Sequence, residues 1–298
     1  MRMSALLLVV CIVICSLGVV KSPAIAADTV AKPATVRDMI WVWGNPELAK
    51  PGPHTLATFA SADPAQRAKL LGVSNIVMAG MGLPNDDAKA DELTRQVAAA
   101  TRLVWETTPD GKGIGPPFVY KKRMAQIRRL AQKYPQLEGV LLDDMSTGKM
   151  DRGFKPEHIR HMREELSDKY PAVKIWGVTY TMSLQRPHIN EYLKEVDIIN
   201  LWEWHSDRLG DFEKHVAHCE KLFPDKPIIL GLYLYDYGGG KKISLERLEF
   251  QCELALKLAH AGRIEGIVFL TINDDEKAVR WAADWITRVG GQKLAKVF

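Results

Sequence analysis

Leu137-Glu138-Gly139-Val140-Leu141-Leu142-Asp143-Asp144 is a short apolar run that closes on two acids, and a polar loop and a helical pattern over 156–169 follow it. The same succession recurs on both sides. Toward the N-terminus, apolar or β-branched runs lie at Arg102–Thr107, Asn75–Gly80 and Met39–Gly44. Toward the C-terminus they lie at Lys174–Tyr180, Asp197–Trp204, Pro227–Tyr235 and Ile264–Thr271. Helical patterns follow them at 64–72, 86–100, 120–133, 187–195, 207–223, 243–261 and 275–288. Pro156 stands in the first turn of the fourth helix, and Ser244 opens the seventh with Glu246 close behind. Strands that alternate with helices pair in parallel, because each crossover must carry the chain back over the sheet. Eight such units in about 250 residues predict an α/β fold, a (β/α)8 TIM barrel in a single domain. The alternative is an open doubly wound sheet, but the first strand ends in Trp43-Gly44-Asn45-Pro46 without a glycine-rich phosphate loop. There is no Walker motif, no HExxH and no GxSxG, which removes several common chemistries.

The segment before the first strand reads differently. A basic start at Arg2, an apolar stretch from Ala5 to Val20 and the small-residue pattern Ala24-Ile25-Ala26 predict a secretory signal peptide over 1–26, leaving the barrel to residues 27–298. The expected location is the periplasm or medium, with no permanent membrane anchor. The 298-residue chain is 47% hydrophobic and 26% charged, enough to bury a core. Its formal charge is +4, and loss of Arg2 and Lys21 with the signal brings it to +2. A chain so nearly neutral is not expected to bind nucleic acid, which needs clustered Lys and Arg in excess. Of four cysteines only Cys219 and Cys252 lie beyond the signal, and they are expected as buried thiols.

A barrel of this type gathers its active site where the strand-to-helix loops converge, at the C-terminal strand ends. Those ends carry Trp41 and Trp43, Trp105 and Glu106, Asp143 and Asp144, Trp176, Thr179 and Tyr180, Trp202 to His205, Tyr233, Tyr235 and Asp236, and Asn273 to Asp275. Aromatics and carboxylates at one rim suit a carbohydrate: sugar CH faces stack on flat rings, hydroxyls bond to carboxylates, and glycosidic cleavage uses two carboxyl groups. The substrate-binding candidates are Trp41, Trp43, Glu106, Tyr180, Trp202, Trp204, Tyr235, Asn273 and Asp274. The catalytic candidates are Asp143, Asp144, Glu203 and Asp236. Successive strand residues alternate faces, so only one of Asp143 and Asp144 is expected to face the mouth. The face of Glu203 is open, since Asn200, Trp202 and Trp204 share one side of the strand while Ile199, Leu201 and Glu203 share the other. His215, His218 and Cys219 have metal-like spacing but fall mid-helix, away from the strand ends, so neither a metal nor another cofactor is expected.

Gly139-Val140-Leu141-Leu142-Asp143-Asp144-Met145 resembles the strand-4 signature of family 18 glycoside hydrolases, in which acids alternate along the strand and a glutamate ends it as proton donor. Asp197-Ile198-Ile199-Asn200-Leu201-Trp202 is similar to strand 6 of that group, and Leu230-Gly231-Leu232-Tyr233-Leu234-Tyr235 to its strand 7. The whole of 27–298 resembles exported barrels of the glycoside hydrolase type. The resemblance implies an oligosaccharide or polysaccharide substrate. It does not carry the mechanism over, because Leu141 stands where an acid is expected and Met145 where the proton donor should be. Two functions follow as expectations: a glycoside hydrolase with Asp143 or Asp144 set against Glu203 or Asp236, or a carbohydrate-binding barrel that has lost catalysis. A metal-assisted hydrolase using Asp143, Asp144 and Asp274 ranks behind both for want of inward histidines.

Overall fold

The computed structural model describes residues 34–45, 63–80, 82–107, 117–145, 154–167, 170, 172–272 and 275–294. The expected signal peptide over 1–26, and the candidates Asn273 and Asp274, lie outside them. Among the described residues eight strands are present: β1 (Ile40–Gly44), β2 (Asn75–Met78), β3 (Arg102–Glu106), β4 (Leu137–Leu142), β5 (Lys174–Tyr180), β6 (Ile198–Trp202), β7 (Ile228–Tyr233) and β8 (Gly266–Leu270). All pair in parallel in chain order, and β8 closes on β1 with Val268 beside Trp41 and Leu270 beside Trp43. The fold is the (β/α)8 barrel that the repeated pattern predicts.

The helices are α1 (Pro64–Leu71), α2 (Asp87–Gln96), α3 (Pro117–Lys133), α4 (Pro156–Ser167), α5 (Pro187–Leu193), α6 (Phe212–Leu222), α7 (Leu245–His260) and α8 (Glu276–Val289). Their starts follow local chemistry. Asp63, Asp86, Ser244 and Asp275 each accept a backbone N–H from the first turn of α1, α2, α7 and α8, satisfying a donor the helix cannot. The sixth helix begins later than expected, since 206–211 form a 3-10 turn before Phe212. Gly210 falls inside that turn, and glycine is the poorest non-proline helix former. Six of the eight strands also end one or two residues early, leaving Asp143, Asp144, Glu203, Trp204 and Tyr235 in the loops.

Two apolar layers result. The larger lies between sheet and helices; the smaller fills the barrel and holds Trp41, Trp43, Val77, Val104, Leu141, Trp176, Val178, Tyr180, Trp202, Ile229, Tyr233 and Val268. Inward glycines make room for the largest of these rings. Trp176 fills the space over Gly139, and Trp202 the space over Gly231. Trp41 meets Trp176 edge to face at 5.0 Å deep in the barrel, where the Arg102 guanidinium covers it at 4.6 Å. Cys219 and Cys252 are buried free thiols, and burial pushes the Cys219 thiol up to about 12. Among the described residues no helix is long and apolar enough to cross a membrane.

Candidate active site

A cavity of about 170 Å³ opens at the C-terminal ends of the strands. Its walls come from β1 (Trp43), β5 (Val178, Tyr180), β6 and its loop (Trp202, Trp204), β7 and its loop (Tyr233, Tyr237) and the end of β8 (Leu270, Ile272). Asp143 and Asp144 supply its carboxylates. A second cleft of about 330 Å³ lies by Lys226, Pro227 and Arg263, at the opposite ends of the strands. Its Arg263 is taken up by Glu213 and Glu220.

Asp143 and Asp144 both line the cavity, which corrects the expectation that strand alternation would send them apart. The alternation stops because β4 ends at Leu142 and Asp144 takes φ 53°, a left-handed conformation that Asp tolerates better than most residues. The Asp144 N–H donates to Asp143 Oδ1 at 2.9 Å, and the Tyr180 hydroxyl donates to Asp144 Oδ1 at 2.6 Å. Burial, with neighbouring Tyr233 and the two aspartates, drives the Tyr180 phenol far above its ordinary value; burial does the same for Tyr233. Both therefore remain neutral hydroxyls. The turn also sends Met145 away from the cavity, into the layer between sheet and helices against Gly177 and Val196.

The aromatic walls brace one another. Trp204 meets Tyr180 at 5.4 Å and 87°, Tyr233 at 6.0 Å and 87°, and Tyr237 at 5.2 Å and 39°. One backbone and one side-chain hydrogen bond hold the loops in place: Gly238 N–H donates to the Trp204 carbonyl at 3.0 Å, and the Tyr237 hydroxyl donates to the Ile272 carbonyl at 2.9 Å. Below them Trp202 forms the floor, its indole N–H donating to Asn200 Oδ1 at 2.9 Å.

Other expected site residues stand apart from this cavity. Glu203, the first residue after β6, is buried away from the cavity that Trp202 and Trp204 line. Its carboxylate accepts the Thr181 hydroxyl at 2.5 Å and the His205 N–H at 3.0 Å, with His215 Nδ1 at 3.5 Å. Asp236 is also buried and accepts the Gly239 N–H at 2.9 Å. Burial works against its charge, but the Ser206 hydroxyl, the N–H groups of Gly239 and Ser206, and Lys241 outweigh burial and hold its carboxyl below the usual value. Glu106 accepts the N–H groups of Gly80 and Gly82, at 2.5 and 3.1 Å, and so shapes the loop after β2. Trp41 lies a layer below the cavity, and Tyr235 packs on Tyr237. Among the described residues no three His, Cys, Asp or Glu side chains come together as a metal site.

The expected substrate-binding set lacks Tyr237, Leu270 and Ile272, and it holds Tyr235 where Tyr233 lines the cavity. The inward phase of Ile229 and Gly231 identifies Tyr233, because β7 ends there and Tyr235 no longer follows it. Tyr237 sits in a loop, where no periodicity applies.

No protein-family model matches the sequence, and neither does any curated protein. Solved structures share the fold. The spore cortex-lytic enzyme SleL of Bacillus cereus is 13% identical, with a TM-score of 0.53 over 85% of this chain and 74% of its own. Active domain 2 of a Pyrococcus furiosus chitinase is 11% identical, with a TM-score of 0.53 over 88% and 99%. The alpha-L-arabinofuranosidase of Thermotoga maritima is 12% identical, with a TM-score of 0.56 over 88% and 72%. In fold, the chain is a TIM barrel of the kind found in glycoside hydrolases, with only weak similarity in sequence.

Proposed function

We propose that the protein is a carbohydrate-active enzyme, a glycoside hydrolase whose sugar lies in the cavity at the rim. The observation that carries this is the union, in one cleft, of the adjacent carboxylates Asp143 and Asp144 with the rings of Trp43, Tyr180, Trp204, Tyr233 and Tyr237. Flat rings take the CH faces of a sugar, and carboxylates take its hydroxyls and supply acid or base assistance at the glycosidic oxygen. Tyr180, a neutral donor, fixes the Asp144 carboxylate toward the cavity. At least one of Asp143 and Asp144 is essential. The hydrolases that share the fold support the class of substrate, and the expected signal peptide fits an exported enzyme acting on a polymer outside the cell.

A specific observation favours a second function, sugar binding without turnover: Met145 faces away from the cavity, and Glu203 and Asp236 are fixed outside it by their own chain. The test is to assay the purified protein, Asp143→Asn and Asp144→Asn on aryl glycosides and polysaccharides while following sugar binding by calorimetry. Hydrolysis that drops about 10²-fold or more in either variant supports the enzyme. Binding without hydrolysis in the wild type selects the binding barrel. Hydrolysis at the parental rate in both variants refutes the assignment of the acids.

A further inference from the structure

Pro156 opens α4 without an N–H, and the side chain of Lys155 before it has no acceptor to offer the first turn. A histidine closes the turn instead: the Lys155 N–H donates to His158 Nδ1 at 3.0 Å, while the His158 N–H donates back to the Lys155 carbonyl at 2.9 Å. This is the position from which a glutamate or glutamine side chain commonly reaches back to the start of a helix. A ring nitrogen that accepts a hydrogen bond carries no proton, so the imidazole is neutral with its hydrogen on Nε2.

The ring is 8% exposed and lies between Tyr120 of α3, at 5.4 Å and 29°, and Phe154, at 5.5 Å and 44°. Phe154 stacks in turn on Tyr192 of α5 at 5.8 Å, and the Tyr192 hydroxyl donates to the Phe154 carbonyl at 2.7 Å. Thus α3 and α5 bring phenols to the cluster, and burial keeps that of Tyr120 neutral. The charges acting on the ring stand beside it in sequence. Burial, the largest effect, holds the imidazole below its ordinary 6.5; Glu157 works against burial, while His161 and Lys155 add to it.

We propose that His158 is an acid-sensitive fastening of the α4 N-terminus, closed while its ring is neutral and opened when the ring takes up a proton. Protonation places a hydrogen on Nδ1 facing the Lys155 N–H, so an acceptor is lost and two donors confront each other. It also sets a positive charge at a helix N-terminus, where the backbone dipoles disfavour it. What loosens is the seat of Phe154, from which the chain leads back to Asp143 and Asp144. The contribution to stability is complete above pH 6.5 and is lost as the pH falls through the lower folded-state value.

The test compares the wild type with His158→Gln, which keeps an acceptor at this position but does not titrate. Urea denaturation and amide hydrogen exchange are followed from neutral pH down to about pH 5. Relative to the variant, the wild type should lose roughly fivefold in its folded-to-unfolded ratio, the scale of a lost helix cap. The faster exchange should be concentrated in the first turn of α4. If the variant fails to fold, nitrogen chemical shifts of the His158 ring in the wild type decide: an unprotonated Nδ1 at neutral pH and titration below 6.5 support the fastening. A protonated Nδ1 at neutral pH, titration at or above 6.5, or the same acid dependence in wild type and variant overturns it. None of these readouts uses a sugar, so the outcome is separate from that of the proposed function.

Discussion

The indole of Trp202 covers Gly231 so closely that no β-carbon fits between them. Trp202 is inward on β6, Gly231 is its register partner on β7, and the ring fills the space that a side chain on β7 would occupy. The cavity floor therefore depends on a residue that does not touch the ligand. Gly231→Ala should push the ring out of place and cost about 1–3 kcal/mol, as overpacking of a filled core does. Urea denaturation should show the loss, and sugar affinity should fall with it. An unchanged midpoint would contradict the tight seating of the ring.

Glu203 sits between two loop starts. It accepts from Thr181, the residue after Tyr180, and from His205, the residue after Trp204, so it ties together the chain segments that aim two cavity walls. Glu203→Ala should leave buried donors without their acceptor and cost about 1–3 kcal/mol. Glu203→Gln keeps an acceptor oxygen and should retain most of the stability and most of the turnover. A Gln variant that melts like the parent but loses about 10²-fold in turnover would identify Glu203 as a proton-transfer group instead.

Asp236 should make part of the stability depend on pH. Its carboxyl is held below the ordinary 3.8, so its contribution is present at pH values above that number and is lost as the pH falls through the folded-state value. Asp236→Asn should therefore be less stable than the parent at pH 7, with the gap closing in strong acid. Denaturation curves at several pH values check this, and a gap that widens toward low pH would have the wrong sign.

Tyr180→Phe keeps the ring and removes the donor to Asp144. A hydrogen bond to a charged group is worth about 1.5–3 kcal/mol, so kcat/KM should fall roughly tenfold or more while the melting behaviour changes little. Parental kcat/KM in this variant would remove Tyr180 from the positioning of Asp144.

The barrel was legible because its signal is repeated eight times, and an error of one or two residues at a strand end does not alter the topology. The site was legible in part. Trp43, Tyr180, Trp202, Trp204, Asp143 and Asp144 do line the cavity, whereas Trp41 has the parity of Trp43 but sits one layer deeper. Period-two alternation reports the face of a strand residue, not its depth along the barrel. It also stops where the chain leaves the sheet, which is why it misplaced the two aspartates relative to each other and could not reach Tyr237. Glu203 illustrates a different limit: the two possible faces of its strand were evident, but choosing between them needed the closed sheet.

The left-handed residue at Asp144 has a consequence for how this rim can change over generations. In a regular strand residues 141, 143 and 145 would share the inner face; here the chain turns at 144, so Asp144 reaches the cavity and Met145 packs outside beside Gly177 and Val196. A glutamate grafted at 145 would land in an apolar layer, where an unpaired charge is strongly disfavoured, instead of facing a sugar. Point substitution at that codon therefore cannot install a proton donor. The inherited unit at the end of β4 is a backbone phase, and moving an acid into or out of position 145 requires an insertion, a deletion or a change of handedness at the residue before it.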